Sequence, residues 1–128
     1  MLAAILLLQT APAAPPRPPQ DWTALPQLRF VAPPRTDAKL SLFVRREVAA
    51  GRCAAAERGS QGWSLRVDFA VRLDEHGRAR QAVPRAIGCP TVEQFAAGAL
   101  SRLVRDNVYP LGPEGGWAKT ALSFTWTG

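Results

Sequence analysis

Few residues in this chain have the chemistry for a covalent or catalytic role. Cys53 and Cys89 are its two cysteines. In an oxidising compartment an even count is most simply one disulfide, and closing a loop of about 36 residues stabilises by roughly 3–4 kcal/mol on the chain-entropy relation. The alternative is two unrelated buried thiols, because free cysteine packs as a small hydrophobe. Asp74, Glu75 and His76 set two carboxylates beside the one histidine, which are the ingredients of acid–base catalysis. With Gly77 they also spell a hairpin turn, where neighbouring side chains diverge into solvent and no pKa tuning is expected. A metal site needs three or four convergent ligands, and one His with two distant Cys does not supply them. There is no Gly-x-Ser-x-Gly, and Gly112, Gly115 and Gly116 precede no helix that would make a phosphate loop. No catalytic, cofactor-binding or metal-ligating residue is assigned, so the expectation is a non-enzyme without cofactor.

The elements that carry these residues are easier to read. Trp63, Leu65, Val67, Phe69, Val71 and Leu73 alternate with Ser64, Arg66, Asp68, Ala70 and Arg72. A period of two throws alternate side chains onto opposite faces, so 63–73 reads as a strand buried on one face and central to a small sheet. Asp74 to Gly77 turns the chain into a second strand, about 78–87, in which Pro84 cannot donate to a ladder and marks an edge. A first helix is expected over 37–50, from the Thr36/Asp37 start signals to Gly51 as a stop, with 59–62 as a loop before the central strand. Thr91 with Gln94 makes a capping box for a second helix to about 106, whose stripe runs through Val92, Phe95, Ala96, Ala99, Leu100, Leu103 and Val104. A last strand, 117–127, puts Ala118, Leu122, Phe124 and Trp126 on one face. Trp63 and Trp126 are taken as core, and Trp22 and Trp117 as core or spacer anchors.

The order helix, strand, strand, helix, strand implies an α+β, two-layer α-β-β-α-β fold. The helix returning from the edge strand brings the last strand in parallel to the second. The simplest sheet is three-stranded, antiparallel or mixed, in order 2-1-3, covered on one face by helices.

The N-terminal third is different. Residues 2–8 are an apolar run too short to span a bilayer as a helix, followed by Ala11-Pro12-Ala13, a small-x-small pattern suited to signal peptidase. We read 1–13 as a signal peptide, with an uncleaved anchor or a start lying upstream as alternatives. Eight of the 12 prolines fall between Pro12 and Pro34, and they favour an extended spacer over 14–35. Trp22, Leu25, Leu28, Phe30 and Val31 interrupt it with apolar groups, which allows part of the spacer to lie back on the domain at 36–128. The net charge is +6, with a pI of 10.6. The arginines are scattered and build no continuous basic face, so nucleic acid is not an expected partner.

The strand order and certain local residues resemble the C-terminal domain of the TonB energy-transducer family over roughly 63–126. The resemblance rests on the acidic-Gly turn at 74–77, the small-residue junction Ala86-Ile87-Gly88-Cys89-Pro90 and the Ala-rich helix ending in Arg102 and Arg105. It continues through Tyr109-Pro110, the Gly-rich loop and the final apolar strand. It implies a periplasmic domain of a Gram-negative envelope that binds an extended segment of an outer-membrane receptor, with a role in TonB-type transmembrane transport. Full transducers carry a spanning helix and a long spacer. About twenty residues of spacer at about 3.5 Å each could not cross a periplasm, so a stand-alone domain is the carry-over.

An unpaired strand edge can accept a partner strand. The last strand is the expected acceptor, through Trp117, Lys119, Ala121, Ser123 and Thr125. The competing expectation is that the spacer, or a second copy of the chain in a homodimer, covers this edge. The alternative function is a self-associating or envelope-bound structural module without peptide recognition. Membrane contact is expected only if the N-terminal segment stays uncleaved.

Overall fold

Strand β2 (Gly62–Leu73) is the axis of the molecule, a computed structural model that describes Ala4 and residues 15–128. The expected signal peptide lies, Ala4 aside, outside these residues. Around β2 the order is α1 (Ala38–Ala49), β1 (Glu57–Gly59), β2, β3 (Ala79–Pro84), α2 (Pro90–Leu103) and β4 (Gly116–Trp126). The α+β class is as read from the sequence, with one strand added. The sheet has four strands and is antiparallel throughout, because β4 runs against β2 along its whole length, from Trp63↔Trp126 to Leu73↔Gly116. On the other side β2 is shared: β1 pairs its first residues and β3 its last. The second–first–third order therefore holds, with β1 as a short fourth strand where a loop is expected. Ser60 and Gln61 are the turn that joins β1 to β2 across the Gly59↔Gly62 pair.

The alternation in β2 sets the layers. Leu65, Val67, Phe69, Val71 and Leu73 are buried together with Ala118, Leu122 and Phe124 of β4. Val44 of α1 and Val92, Ala96, Ala99 and Leu100 of α2 close over this face. Phe43 and Phe95 stack between the helices with centroids 4.6 Å apart. Asp37 caps α1 by accepting from the Leu40 amide at 2.7 Å, and Gly51 follows its end at φ +76, as the start and stop signals require. The second helix begins earlier than expected. Its N-cap is Cys89 with Pro90 at the first helical position, and Glu93, not Thr91, satisfies the free donors by accepting from the Cys89 and Ile87 amides. Among the described residues no helix is long and apolar enough to cross a membrane.

Cys53 and Cys89 form a disulfide, with Cα atoms 5.2 Å apart. The bridge joins the segment that leads into β1 to the segment that leaves β3. These two partial strands flank β2 on the same side at opposite ends, so the disulfide spans the gap between them.

Part of the spacer belongs to this fold. Leu28 is only 3% exposed and sits in the core. Its amide donates to the Lys119 carbonyl at 2.8 Å, and the Lys119 amide donates to the Pro26 carbonyl at 2.9 Å. Residues 26–28 thus add to β4 as a short parallel bridge centred on Gln27↔Lys119. The chain then pairs with the segment after α2, through Val31 N–H to the Asn107 carbonyl and Tyr109 N–H to the Arg29 carbonyl. We call residues 20–31 the strap.

Candidate functional site

Backbone direction alternates along an antiparallel strand, so every second residue of an outer strand turns its N–H and C=O away from its neighbour. The Lys119 bonds to the strap fix which set points outward on β4. By alternation Trp117, Lys119, Ala121, Ser123 and Thr125 face away from β2, and these are the five residues expected from the sequence to form the acceptor edge. The edge is not bare along its length. Lys119 has both backbone groups taken by residues 26 and 28, and the Thr36 hydroxyl donates to the Ser123 carbonyl at 2.5 Å. Lys119 is therefore corrected from an open acceptor to one occupied by the chain's own spacer. Among the described residues, the outward backbone groups of Ala121 and Thr125 and the Ser123 amide have no hydrogen-bond partner.

The opposite edge of the sheet is β3. The Arg85 amide donates to the Asp68 carbonyl at 2.8 Å, so Gln81 and Val83 also face β2 while Ala82 and Pro84 face outward, and the register shift opposite Arg72 and Leu73 breaks the alternation before Gln81. Pro84 brings no donor there, as the sequence implies.

The acidic turn is a structural clasp. Asp74 Oδ1 accepts from the amides of His76 and Arg78, both at 2.9 Å, and Oδ2 accepts from Arg80 Nε at 2.8 Å. The backbone bond from Arg78, helped by that from His76 and the contact with Arg80, holds the Asp74 carboxyl below its ordinary value, although desolvation, the second-largest effect, opposes it. His76 and Glu75 lie side by side on the exposed tip, with Nε2 and Oε1 3.5 Å apart. The structure brings these three residues together as a turn, with Arg80 paired to Asp74. Among the described residues no group of three or more His, Cys, Asp or Glu is placed to hold a metal ion.

Trp63 and Trp126 face each other at the end of the β2–β4 ladder. They stack at 6.5 Å and are half-buried, Trp126 packing against the margin of the core. Trp63 also carries Arg58 over its ring. They close one end of the sheet, so Trp126 meets the expected core from its edge while Trp63 lies outside it.

Sequence reasoning allowed part of the spacer to lie back on the domain, but it missed the contacts that this makes on the sheet face without helices. The strap crosses it, and Trp22 packs on Arg85 with the guanidinium carbon 4.4 Å from the ring centroid. Lys119 Nζ donates to the Thr23 carbonyl at 3.1 Å. Below them Arg66 holds Asp68, with Nη2 to Oδ1 at 3.0 Å. The signal for this cover was the apolar interruption of the spacer, but its contacts join residues too distant in sequence for any local pattern.

No family model matches the chain, and neither a curated protein nor a solved structure matches it.

Proposed function

We propose that this chain is an exported, non-enzymatic interaction domain that takes up an extended peptide by strand addition along the outer edge of β4. The observation that carries the reading is the strap itself. An extended segment of this chain already lies against β4 at Lys119 with two main-chain hydrogen bonds and one buried apolar anchor, Leu28. Main-chain bonds for adhesion and a pocket for alternate side chains are the two ingredients of strand addition. Beyond the strap, Ala121 and Thr125 offer both outward groups to a second strand and Ser123 offers its amide. The resemblance to TonB C-terminal domains supplies the partner class, a segment of an outer-membrane receptor, and the periplasm as the place. The disulfide fits an oxidising compartment.

The test uses peptides of a dozen residues selected on the folded protein from a random display library. Amide shifts on adding a selected peptide should cluster at Ala121, Ser123 and Thr125. Ala121→Pro removes one outward donor and leaves the β2–β4 ladder intact, so the fold should persist while binding falls tenfold or more. Shifts centred on Ala82 and its neighbours would move the site to β3 and overturn the reading. A concentration-dependent dimer that hides the Ala121 amide would replace it with self-association.

A further inference from the structure

The strap and the helix-free face of the sheet frame an open cleft of about 500 Å³, within the range of small-molecule sites. Its floor is the middle of β2 and β4, and its walls are Trp22, Arg66, Asp68, Arg85 and Lys119. The charges are not balanced across it. Arg66 and Asp68 satisfy each other through Nε at 3.1 Å and Nη2 at 3.0 Å. Arg85 and Lys119 have no carboxylate within ion-pair distance among the described residues. Both are nevertheless held in place. Arg85 lies against the Trp22 ring, and Lys119 spends one of its three N–H donors on the Thr23 carbonyl. The one further carboxylate near them, Asp21, is turned back onto its own segment, accepting from the Thr23 amide at 2.9 Å and from the Thr23 hydroxyl at 2.6 Å. Those bonds, with the nearby Lys119 and Arg85 charges as smaller contributions, keep the Asp21 carboxyl below its ordinary value.

We propose that this cleft binds a small oxyanion, a carboxylate or a phosphate, between the Arg85 guanidinium and the Lys119 ammonium, with Trp22 as the wall for the body that carries it. Guanidinium presents a planar fork of donors that fits either anion in two bonds, and Lys119 adds a point charge from the other side. Neither cation has to give up a buried partner to bind. The ligand also ties the strap to the sheet, because Trp22 and Thr23 position the two cations and Leu28 anchors the same segment. This site is independent of the strand-addition edge, since it uses side chains on the open face and leaves the outward amides of Ala121 and Thr125 untouched.

The experiment is a titration of the full chain with inorganic phosphate and, separately, with benzoate, followed by amide and indole N–H shifts and by exchange of the Leu28 amide. Saturable shifts at Thr23, Lys119 and the Trp22 indole are expected, with slower Leu28 exchange in the bound form. The tighter of the two probes identifies the head group as phosphate or carboxylate. Arg85→Gln and Lys119→Gln should each weaken binding tenfold or more, whereas Arg102→Gln on α2 should leave it unchanged. Shifts that fail to saturate with both probes, or that Arg102→Gln reduces as much as Arg85→Gln, would show only a general response to anions and overturn the proposal.

Discussion

Refolding the protein with Cys53 and Cys89 held as thiols should lower its stability by about 4 kcal/mol. The bridge spans 36 residues, and the chain-entropy relation for a loop of that length gives about 13 cal/mol/K, or about 4 kcal/mol at 25 °C. Cys53 and Cys89 are 4% and 1% exposed, so the reduced native state keeps both thiols out of water and chain entropy sets the scale of the loss. For a chain of this size a urea m-value near the low end of the usual range converts that loss into a midpoint drop of roughly 2–4 M. The fold also says where the damage begins. The disulfide ties the entry to β1 to the exit from β3, so the bond from the Arg85 amide to Asp68 should lose protection before the β2–β4 ladder does. Urea unfolding of oxidised and reduced protein, with native-state amide exchange on both, measures the two effects. A midpoint drop below about 0.5 M, or exchange that opens first between β2 and β4, would refute the reasoning.

Other perturbations follow from single residues. Leu28→Ala removes the buried anchor of the strap and should cost about 2–3 kcal/mol in a urea titration, with faster exchange of the Lys119 amide. Gly98 in α2 has open space where a methyl group would stand, so Gly98→Ala should gain about 0.5–1 kcal/mol by relief of helix entropy. Gly115→Ala should do the reverse, because Gly115 sits at φ +72 and a Cβ there would strike the backbone of Leu73 and Asp74; thermal melts of the pair should move in opposite directions. Asp74 has a folded pKa depressed below its ordinary 3.8, so its contribution to stability is present above that value and is lost as pH falls through the folded one. Unfolding midpoints between about pH 5 and pH 2 should fall less steeply in Asp74→Asn than in the parent.

How much of this was legible depended on whether the signal was local. The strand at 63–73 declares itself because one face packs under helices and the other meets water and the strap, and the polarity alternates accordingly. The ends of the elements were less visible. Glu57, Arg58 and Gly59 are all exposed, so β1 carries no apolar pattern to separate it from a loop. Thr91 and Gln94 fit a capping box in sequence, but Pro90 is free to start the helix and Glu93 reaches back to the Cys89 amide, which moves the start. The expected extension of α2 to 106 fails at its C-cap Val104, and Asp106 sits at φ 53, outside helical backbone. The disulfide was within reach from the cysteine count. The contact of Trp22 with Arg85 was not, because only the folded sheet brings position 22 over position 85.

The strap also bears on which edge a partner would use. β3 offers outward groups at Ala82 but loses a donor at Pro84, is interrupted by a register shift, and has only six residues. β4 has 11 residues, and its edge is divided: one part is already paired with residues 26–28, and the part beyond it lacks a strand. An extended segment docked beyond Lys119 would abut the strap and continue its line of main-chain bonds, so the resident segment sets the register for the incoming one. A hydrophobic anchor in the partner is not needed at the position Leu28 already fills. A strand-adding partner of the kind proposed would supply an extended backbone opposite Ala121 and Thr125 and an acceptor for the Ser123 amide, with side chains that tolerate the Thr36 hydroxyl on the Ser123 carbonyl. A partner that pairs with the protein only after the strap is removed would contradict this arrangement, because it would need the groups of Lys119 that the strap now holds.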